Sequence, residues 1–337
     1  MVSVGSAGGV RAAVLGGSIG GLCAALCLRA AGCEVDVFER SPGQLESRGA
    51  GIGMQQSMVD LLTALEIDPG TVGTESHRLR YHRPDGGLDW DQPASGRYTA
   101  WNTLYRALLA KFGTERYHLG ETIVDLESKE DLAVVGFAGG RRVEADLVVC
   151  ADGVNSAARG LLVPDAVPRY AGYVAWRALI PERDLPTDLW SVFDDAISYC
   201  VLPEARSHVI IYPVPGADGE TGRGARRINL VWYWNVPEDE LVDLFTDRDG
   251  VHRPHSVPAG MVGDRQVARM RADATSLMAP RVAELVCAAR EPFLQTIVEV
   301  GVPRMVFGRT CLVGDAAFAV RPHAGAATSK AAEDSLA

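Results

Sequence analysis

The chain has 337 residues, enough for a large buried core, and 43 Asp plus Glu against 33 Lys plus Arg give a net charge of -10. That balance opposes contact with nucleic acid or an anionic membrane surface, and no apolar run reaches the roughly eighteen residues of a membrane span. The first ten residues carry no export signal, and seven cysteines without a C-x-x-C pair read as reduced core residues of a cytoplasmic protein.

An apolar strand from Ala12 to Leu15 comes first. It runs into Gly16, Gly17, Ser18, Ile19, Gly20 and Gly21, then a helix rich in Ala, Leu and Cys, then a second strand from Glu34 to Phe38. This is the layout of a dinucleotide-binding βαβ unit. Gly16 permits the tight turn, Gly21 lets helix and strand approach, and the helix start at Ile19 and Gly20 offers unpaired N–H groups to a pyrophosphate. Glu39, with Arg40 beside it, ends the second strand where a carboxylate accepts the hydroxyls of an adenosine ribose. The middle glycine of the pattern is replaced by Ser18, whose Cβ crowds a phosphate and whose hydroxyl can donate to it. By itself the unit serves NAD and FAD alike.

Regular βαβ repeats do not follow. A Gly-rich loop, "LESRGAGIGMQ", leads to a short helix over Ser57 to Leu65, and "RLRYHRPDGGLDWDQ" reads as a hairpin turning at Asp85 and Gly86. Helical spacing resumes at "WNTLYRALLAKFG", and strands are expected over Thr122 to Leu126, Ala133 to Phe137 and Asp146 to Cys150. From Tyr173 to Val236 the pattern alternates like an antiparallel sheet, with a polar Arg-bearing loop at Gly216 to Arg227, and residues 262 to 290 read as helix broken near Pro280. The fold class is therefore α/β: a Rossmann-like nucleotide domain (1–75, 99–170 and 300–337) interrupted by a substrate domain with a mostly antiparallel sheet (76–98 and 171–299). A ligand cleft is expected between the two.

Two further short motifs separate flavin from NAD. "DLVVCADGVNSAARGLL" runs from a buried strand into Asp152 and Gly153, and "CLVGDAAFAVRPHAGA" runs from another into Gly314 and Asp315. Either acid alone reads as a turn residue or a helix cap. Together with "GGSIGGL", "RGAGI", "WNTLYRAL", "GYVAWRALI" and "TDRDG", they give the chain a resemblance to the p-hydroxybenzoate hydroxylase-like FAD-dependent aromatic hydroxylases, and among them to the 2,6-dihydroxypyridine 3-hydroxylase group. The resemblance covers nearly the whole chain.

It implies that Gly16, Gly21 and Glu39 hold the ADP half of FAD, that Arg48 lies near the pyrophosphate or flavin edge, and that Asp152 sits close to both cofactors. It also implies that Asp315 accepts a hydrogen bond from the ribityl chain, with backbone N–H groups around Gly325, Ala326 and Ala327 facing the ring. Trp101 stands where many relatives carry an arginine, and Arg106 remains as a flavin-side cation. The implied reaction uses NAD(P)H as a transient co-substrate and O2. A C4a-hydroperoxyflavin hydroxylates an electron-rich phenol or hydroxypyridine-like ring. His323 is the expected general base, with Arg177, Tyr212 and Tyr199 on the substrate sheet.

Other readings stay open at this point. The short "WYWNVP" stretch is similar to a W-x-W pattern of flavin-dependent halogenases, and period two places Trp232 and Trp234 on one strand face, as core or pocket wall. The "GRGARR" loop is read as exposed, with NAD(P)H phosphates as its alternative partner. A flavin-binding protein without hydroxylase activity is a further alternative, and a homodimer is compatible with the sequence. The chain stops inside the implied flavin-facing helix, so a truncated form with weaker FAD retention is expected.

Overall fold

The computed structural model describes residues 9–45, 49–322 and 327–336, with only the backbone of residues 327 and 328. Arg48, His323, Gly325 and Ala326 therefore lie outside the described residues, as does the side chain of Ala327.

The strand Arg11–Leu15 is the centre of a six-stranded sheet, with Glu34–Glu39 parallel on one side and Leu147–Cys150 parallel on the other. Thr310–Leu312 adds a further parallel strand beside Leu147–Cys150, and Tyr117–Leu119 one beside Glu34–Glu39. Both faces of the central strand are buried, which is why it reads as unbroken apolar sequence. Ala12 and Val14 meet the helices Ile19–Ala30 and Trp101–Phe112, whereas Ala13 and Leu15 meet a three-stranded sheet of Ile123–Ser128, Ala133–Phe137 and Arg142–Ala145. The first helix stops at Gly32, which has φ +92°; Gly32 N–H donates to Arg29 O and Cys33 N–H to Leu28 O. That glycine cap turns the chain straight into the second strand.

A ten-stranded, mostly antiparallel sheet forms the other layer. Its middle is built from Arg169–Pro181, Arg227–Asn235, Ser207–Val214 and Ala196–Leu202. The hairpin of Thr74–His82 and Leu88–Ala100 continues it, joined by a parallel pairing to Ala196–Leu202. Even-numbered residues such as Val174, Trp176, Leu230 and Trp232 pack under the helices Asp264–Leu277 and Pro280–Ala288. In Arg169–Pro181 and Arg227–Asn235 odd-numbered residues such as Arg177, Val231 and Tyr233 face the parallel-sheet layer, and in Ser207–Val214 the even-numbered Ile210 and Tyr212 do.

One feature departs from the sequence expectation. Gly51–Met54, read as loop, is an edge strand of the ten-stranded sheet, pairing with Arg97 to Ala100. Its glycines hide a strand from composition because the side of the sheet they line is filled by another side chain: a Cβ on Gly51 would meet Asn229 at 2.3 Å. The sequence boundaries near 75, 98, 170 and 299 each fall inside a continuous strand, so strands rather than linkers connect the two layers.

Candidate active site

A cavity of about 1520 Å³ lies between the two layers, larger than the roughly 300–1,000 Å³ of ordinary small-molecule pockets. Gly16, Ser18, Glu39, Asp152 and Asp315 line it from the parallel-sheet layer, and Arg177 and Tyr212 from the other.

The nucleotide turn is held by close backbone contacts. Gly16 has φ +104°, and a Cβ there would lie 2.4 Å from Ala151 O; a Cβ on Gly21 would lie 1.7 Å from Gly16 O. No larger residue fits at either place. Ser18 caps the helix in extended conformation, without a side-chain capping bond, so its hydroxyl is free to face a ligand. The first intrahelical bond runs from Leu22 N to Ser18 O, leaving the amides of Ile19, Gly20 and Gly21 for an anion at the helix start. The buried Glu39 carboxylate accepts from Gly17 N at 2.8 Å and Ser41 N at 2.9 Å, fixing the turn against the end of the second strand. Arg40 also lines the cavity.

The two later motifs meet beside this turn. Asp152 accepts from Ser156 Oγ at 2.5 Å and Ala158 N at 3.1 Å, and Ser156 in turn caps the helix Ala157–Leu162. Arg159, buried, ties the motifs together: its guanidinium donates to Val154 O at 2.6 Å and to Ala316 O at 3.1 Å. Asp315 is half-buried, and its carboxylate has no hydrogen-bond partner among the described residues. Burial pushes its pKa up, opposed by the charge of Lys330. Lys330 itself is buried, with Nζ 2.6 Å from Gly314 O, 3.2 Å from Asp334 and over the Phe318 ring. Asp334 also accepts from Gly314 N at 2.8 Å, so the last helix, Ala327–Leu336, clamps the Gly314 turn through both backbone groups.

Trp101 lines the cavity, stacked on Tyr105 at 5.0 Å. Arg106 does not line it and has a different partner, donating to Ala217 O at 2.8 Å. On the other wall Tyr212 stacks on Tyr98 at 4.5 Å, and burial pushes its phenol pKa well up, which makes it a hydrogen-bond donor and not a base at neutral pH. Tyr98 and Tyr233 line the same wall and were not singled out from sequence. The signal for Tyr233 was present in "WYWNV", since it alternates out of phase with Trp232 and Trp234.

Those two tryptophans stack on each other at 5.4 Å on the helix-covered face, away from the cavity, and Trp232 Nε1 donates to Ser207 Oγ at 2.9 Å. They are core, not pocket wall. The arginine loop is likewise engaged rather than exposed throughout. Arg226 is buried between Glu182 and Asp194 at 2.7 and 2.6 Å, and Arg227 donates to Pro215 O at 3.0 Å.

A family model described as FAD binding domain-like matches residues 170–299. The 2,6-dihydroxypyridine 3-monooxygenase of Paenarthrobacter nicotinovorans is 37% identical over 326 residues, covering 96% of this chain and 80% of that protein. The chain belongs to the FAD-dependent aromatic hydroxylases. The solved 2,6-dihydroxypyridine-3-hydroxylase from Arthrobacter nicotinovorans superimposes with a TM-score of 0.89 at 36% identity, over 97% of this chain and 82% of the other. A FAD-dependent urate hydroxylase of Klebsiella pneumoniae is 28% identical over 97% of this chain and 80% of its own length. As a member of that family the protein is a flavoprotein monooxygenase that uses NAD(P)H. The donors and acceptors of its cavity fit FAD: amides and a hydroxyl for phosphates at one end, an unpaired carboxylate for a polyol further along. No helix among the described residues is long and apolar enough to cross a membrane.

Proposed function

We propose that the enzyme hydroxylates an electron-rich N-heteroaromatic, of hydroxypyridine type, with O2 and NAD(P)H. The supporting observation is the single cavity that runs from the glycine turn to the tyrosine-bearing wall, with room for a dinucleotide and a small ring. The relatives named for dihydroxypyridine and urate support the heterocyclic substrate class.

In this reading the segments 1–75, 99–170 and 300–337 serve the cofactor, and 76–98 and 171–299 the substrate. Gly16 and Gly21 shape the turn, and Ser18, Ile19 and Gly20 donate to the pyrophosphate. Glu39 and Arg40 take the adenosine end, with Arg48 near the pyrophosphate. Asp152 braces the cofactor loop, and Asp315 accepts from the ribityl chain. The amides of Gly325, Ala326 and Ala327 face the ring. FAD, once reduced, supplies the oxygen activation. The protein's own part is to orient the ring, exclude water and manage the proton of its hydroxyl, with His323 as the base and Arg177 and Tyr212 as substrate contacts. Seven free cysteines support a cytoplasmic location.

The test is NAD(P)H oxidation by the FAD-loaded protein across a panel of hydroxypyridines and phenols, with mass spectrometry of the product. Acceleration by an effector together with a product gaining one oxygen supports the proposal. A flavoprotein whose NAD(P)H oxidation responds to no member of the panel would favour binding without hydroxylation. His323→Ala should keep FAD and lose hydroxylation, and unchanged turnover removes His323 from the site.

A further inference from the structure

A compact group of charges surrounds the Gly314 turn. Lys330, on the last helix, is only 7% exposed, and its Nζ lies 2.6 Å from Gly314 O, the carbonyl of the peptide that joins Gly314 to Asp315. The ammonium also lies 3.2 Å from Asp334 and over the face of the Phe318 ring, 3.3 Å from its centroid. A lysine is almost never buried so fully unless it is paired, and a buried pair gains little over apolar side chains of the same size. The helix is already held to the turn by Asp334, which accepts from Gly314 N at 2.8 Å. Holding the helix therefore leaves the charge on Lys330 unexplained.

Two carboxylates share that charge unequally. Asp334 has the ammonium in contact and the Gly314 amide besides. Asp315 has no hydrogen bond among the described residues and meets Lys330 only through space. Asp315 lines the cavity, whereas Lys330 is set back from its wall.

The other charged and titratable groups around Asp315 do not replace the ammonium. Arg159 approaches from the helix Ala157–Leu162, but its guanidinium is spent on main-chain carbonyls, among them Asp315 O at 3.4 Å and Ala316 O at 3.1 Å. Asp152 is a further carboxylate on the same wall, tied to Ser156 and Ala158. The Cys311 thiol of the preceding strand, pushed up to about 11 by burial and by Asp334, stays neutral. Arg321 and Glu299 pair with each other. A half-buried carboxylate tends to take up a proton, and once protonated it is a poorer acceptor. At Asp315 burial acts in that direction and Lys330 against it.

We infer that Lys330 is a positioning residue for the cofactor: from behind the cavity wall its ammonium keeps the Asp315 carboxylate charged and open to a hydroxyl donor. This rests on the reading of Asp315 as the acceptor for the ribityl chain and deepens it. On acidification Asp315 takes a proton from solvent, its negative charge is lost, and the hydroxyl is held less strongly. Without the ammonium that proton arrives at a higher pH. Asp334 works in the opposite sense, because it draws on the same ammonium.

Titration of flavin-free protein with FAD, followed by fluorescence from neutral to mildly acidic pH, tests the inference. Wild type should lose affinity on acidification, and Asp315→Asn should bind more weakly with no dependence on pH in that range. Lys330→Gln keeps a donor for Gly314 O and drops the charge, so its affinity should fall at a proton concentration about tenfold or more below that of wild type. Asp334→Asn keeps an acceptor for Gly314 N and leaves the ammonium to Asp315, so its profile should move the other way, by about twofold or more. An unmoved profile in Lys330→Gln, or shifts in the same direction in the two variants, reduces Lys330 to packing and overturns the inference alone. Where Lys330→Gln does not fold, Asp334→Asn decides: no shift, or a shift towards greater acid sensitivity, overturns it. A profile that Asp315→Asn leaves as in wild type overturns the reading of Asp315 and the role of Lys330 with it.

Discussion

On the parallel-sheet side, the groups facing the cavity come from short contiguous stretches, chiefly 16–20, 151–155 and 313–315, each following the carboxyl end of a neighbouring strand. On the ten-stranded side they come from many strands and flanking loops scattered between residues 49 and 298, in alternating pairs such as Ile197 and Tyr199, Ile210 and Tyr212, Val231 and Tyr233, and in runs such as 177–181 and 295–298. The first wall works through backbone amides and carboxylates placed by turns. The second is apolar and phenolic on the sheet itself, with Arg177 among its residues and Asp184, Arg290 and Glu291 at its flanks, and depends on strand register. The comparison teaches that one wall is specified locally and the other only by the assembled sheet.

The largest expected effect should separate the walls outright. Arg226→Met strands the buried Glu182 carboxylate beneath the ten-stranded sheet and should cost about 3–5 kcal/mol in denaturant unfolding. The folded fraction should keep its flavin affinity, because Arg226 touches nothing on the nucleotide side. Weaker flavin binding by that fraction would break the separation. Gly21→Val acts on the opposite wall: it drives a side chain into Gly16 O and should cost about 1–3 kcal/mol while abolishing flavin retention on purification. A yellow, fully loaded Gly21→Val protein would contradict the tight helix-to-strand approach.

Asp315→Asn sharpens the same wall by pH. Burial raises the Asp315 pKa in the folded state, so the folded flavin-free protein holds this proton more tightly than the unfolded chain does. Its contribution to stability is greatest below the ordinary carboxylate range and is lost as pH rises through the raised value. Asparagine removes that slope. Near neutral pH the flavin-free variant should be at least as stable as wild type, while FAD binding weakens by roughly ten- to a hundredfold, about 1.5–3 kcal/mol for a hydrogen bond to a charged group. Calorimetry of flavin-free protein and fluorescence titration with FAD measure the two halves; a stability loss with unchanged FAD affinity would reverse the assignment. The smallest effect is expected of Trp232→Phe, which loses the bond to Ser207 Oγ, about 1 kcal/mol of stability, and leaves effector-stimulated NAD(P)H oxidation unchanged.

Legibility in the sequence followed the same division. That the glycine turn, Glu39, Asp152 and Asp315 share one cavity wall was readable because each lies within a few residues of the strand that presents it. Tyr98 was not, since its place on the wall depends on its pairing with Gly53, which no local window contains. Gly51–Met54 failed for a related reason: glycines that make room for Asn229 look like loop when the partner strand is unseen. Arg106, expected at the flavin from its place in a motif, donates to a carbonyl at Ala217.

The strand order of the parallel sheet also dictates a timetable for the chain leaving the ribosome. Arg11–Leu15, Glu34–Glu39 and Leu147–Cys150 can join early, but the next strand inward from the far edge, Thr310–Leu312, emerges only after most of the ten-stranded sheet. Until then Leu147–Cys150 carries an open edge of apolar residues, a standing invitation to a wrong strand. The nascent protein must guard that edge while it builds the ten-stranded layer, and Asp315 reaches the cavity only after the missing strand has closed it.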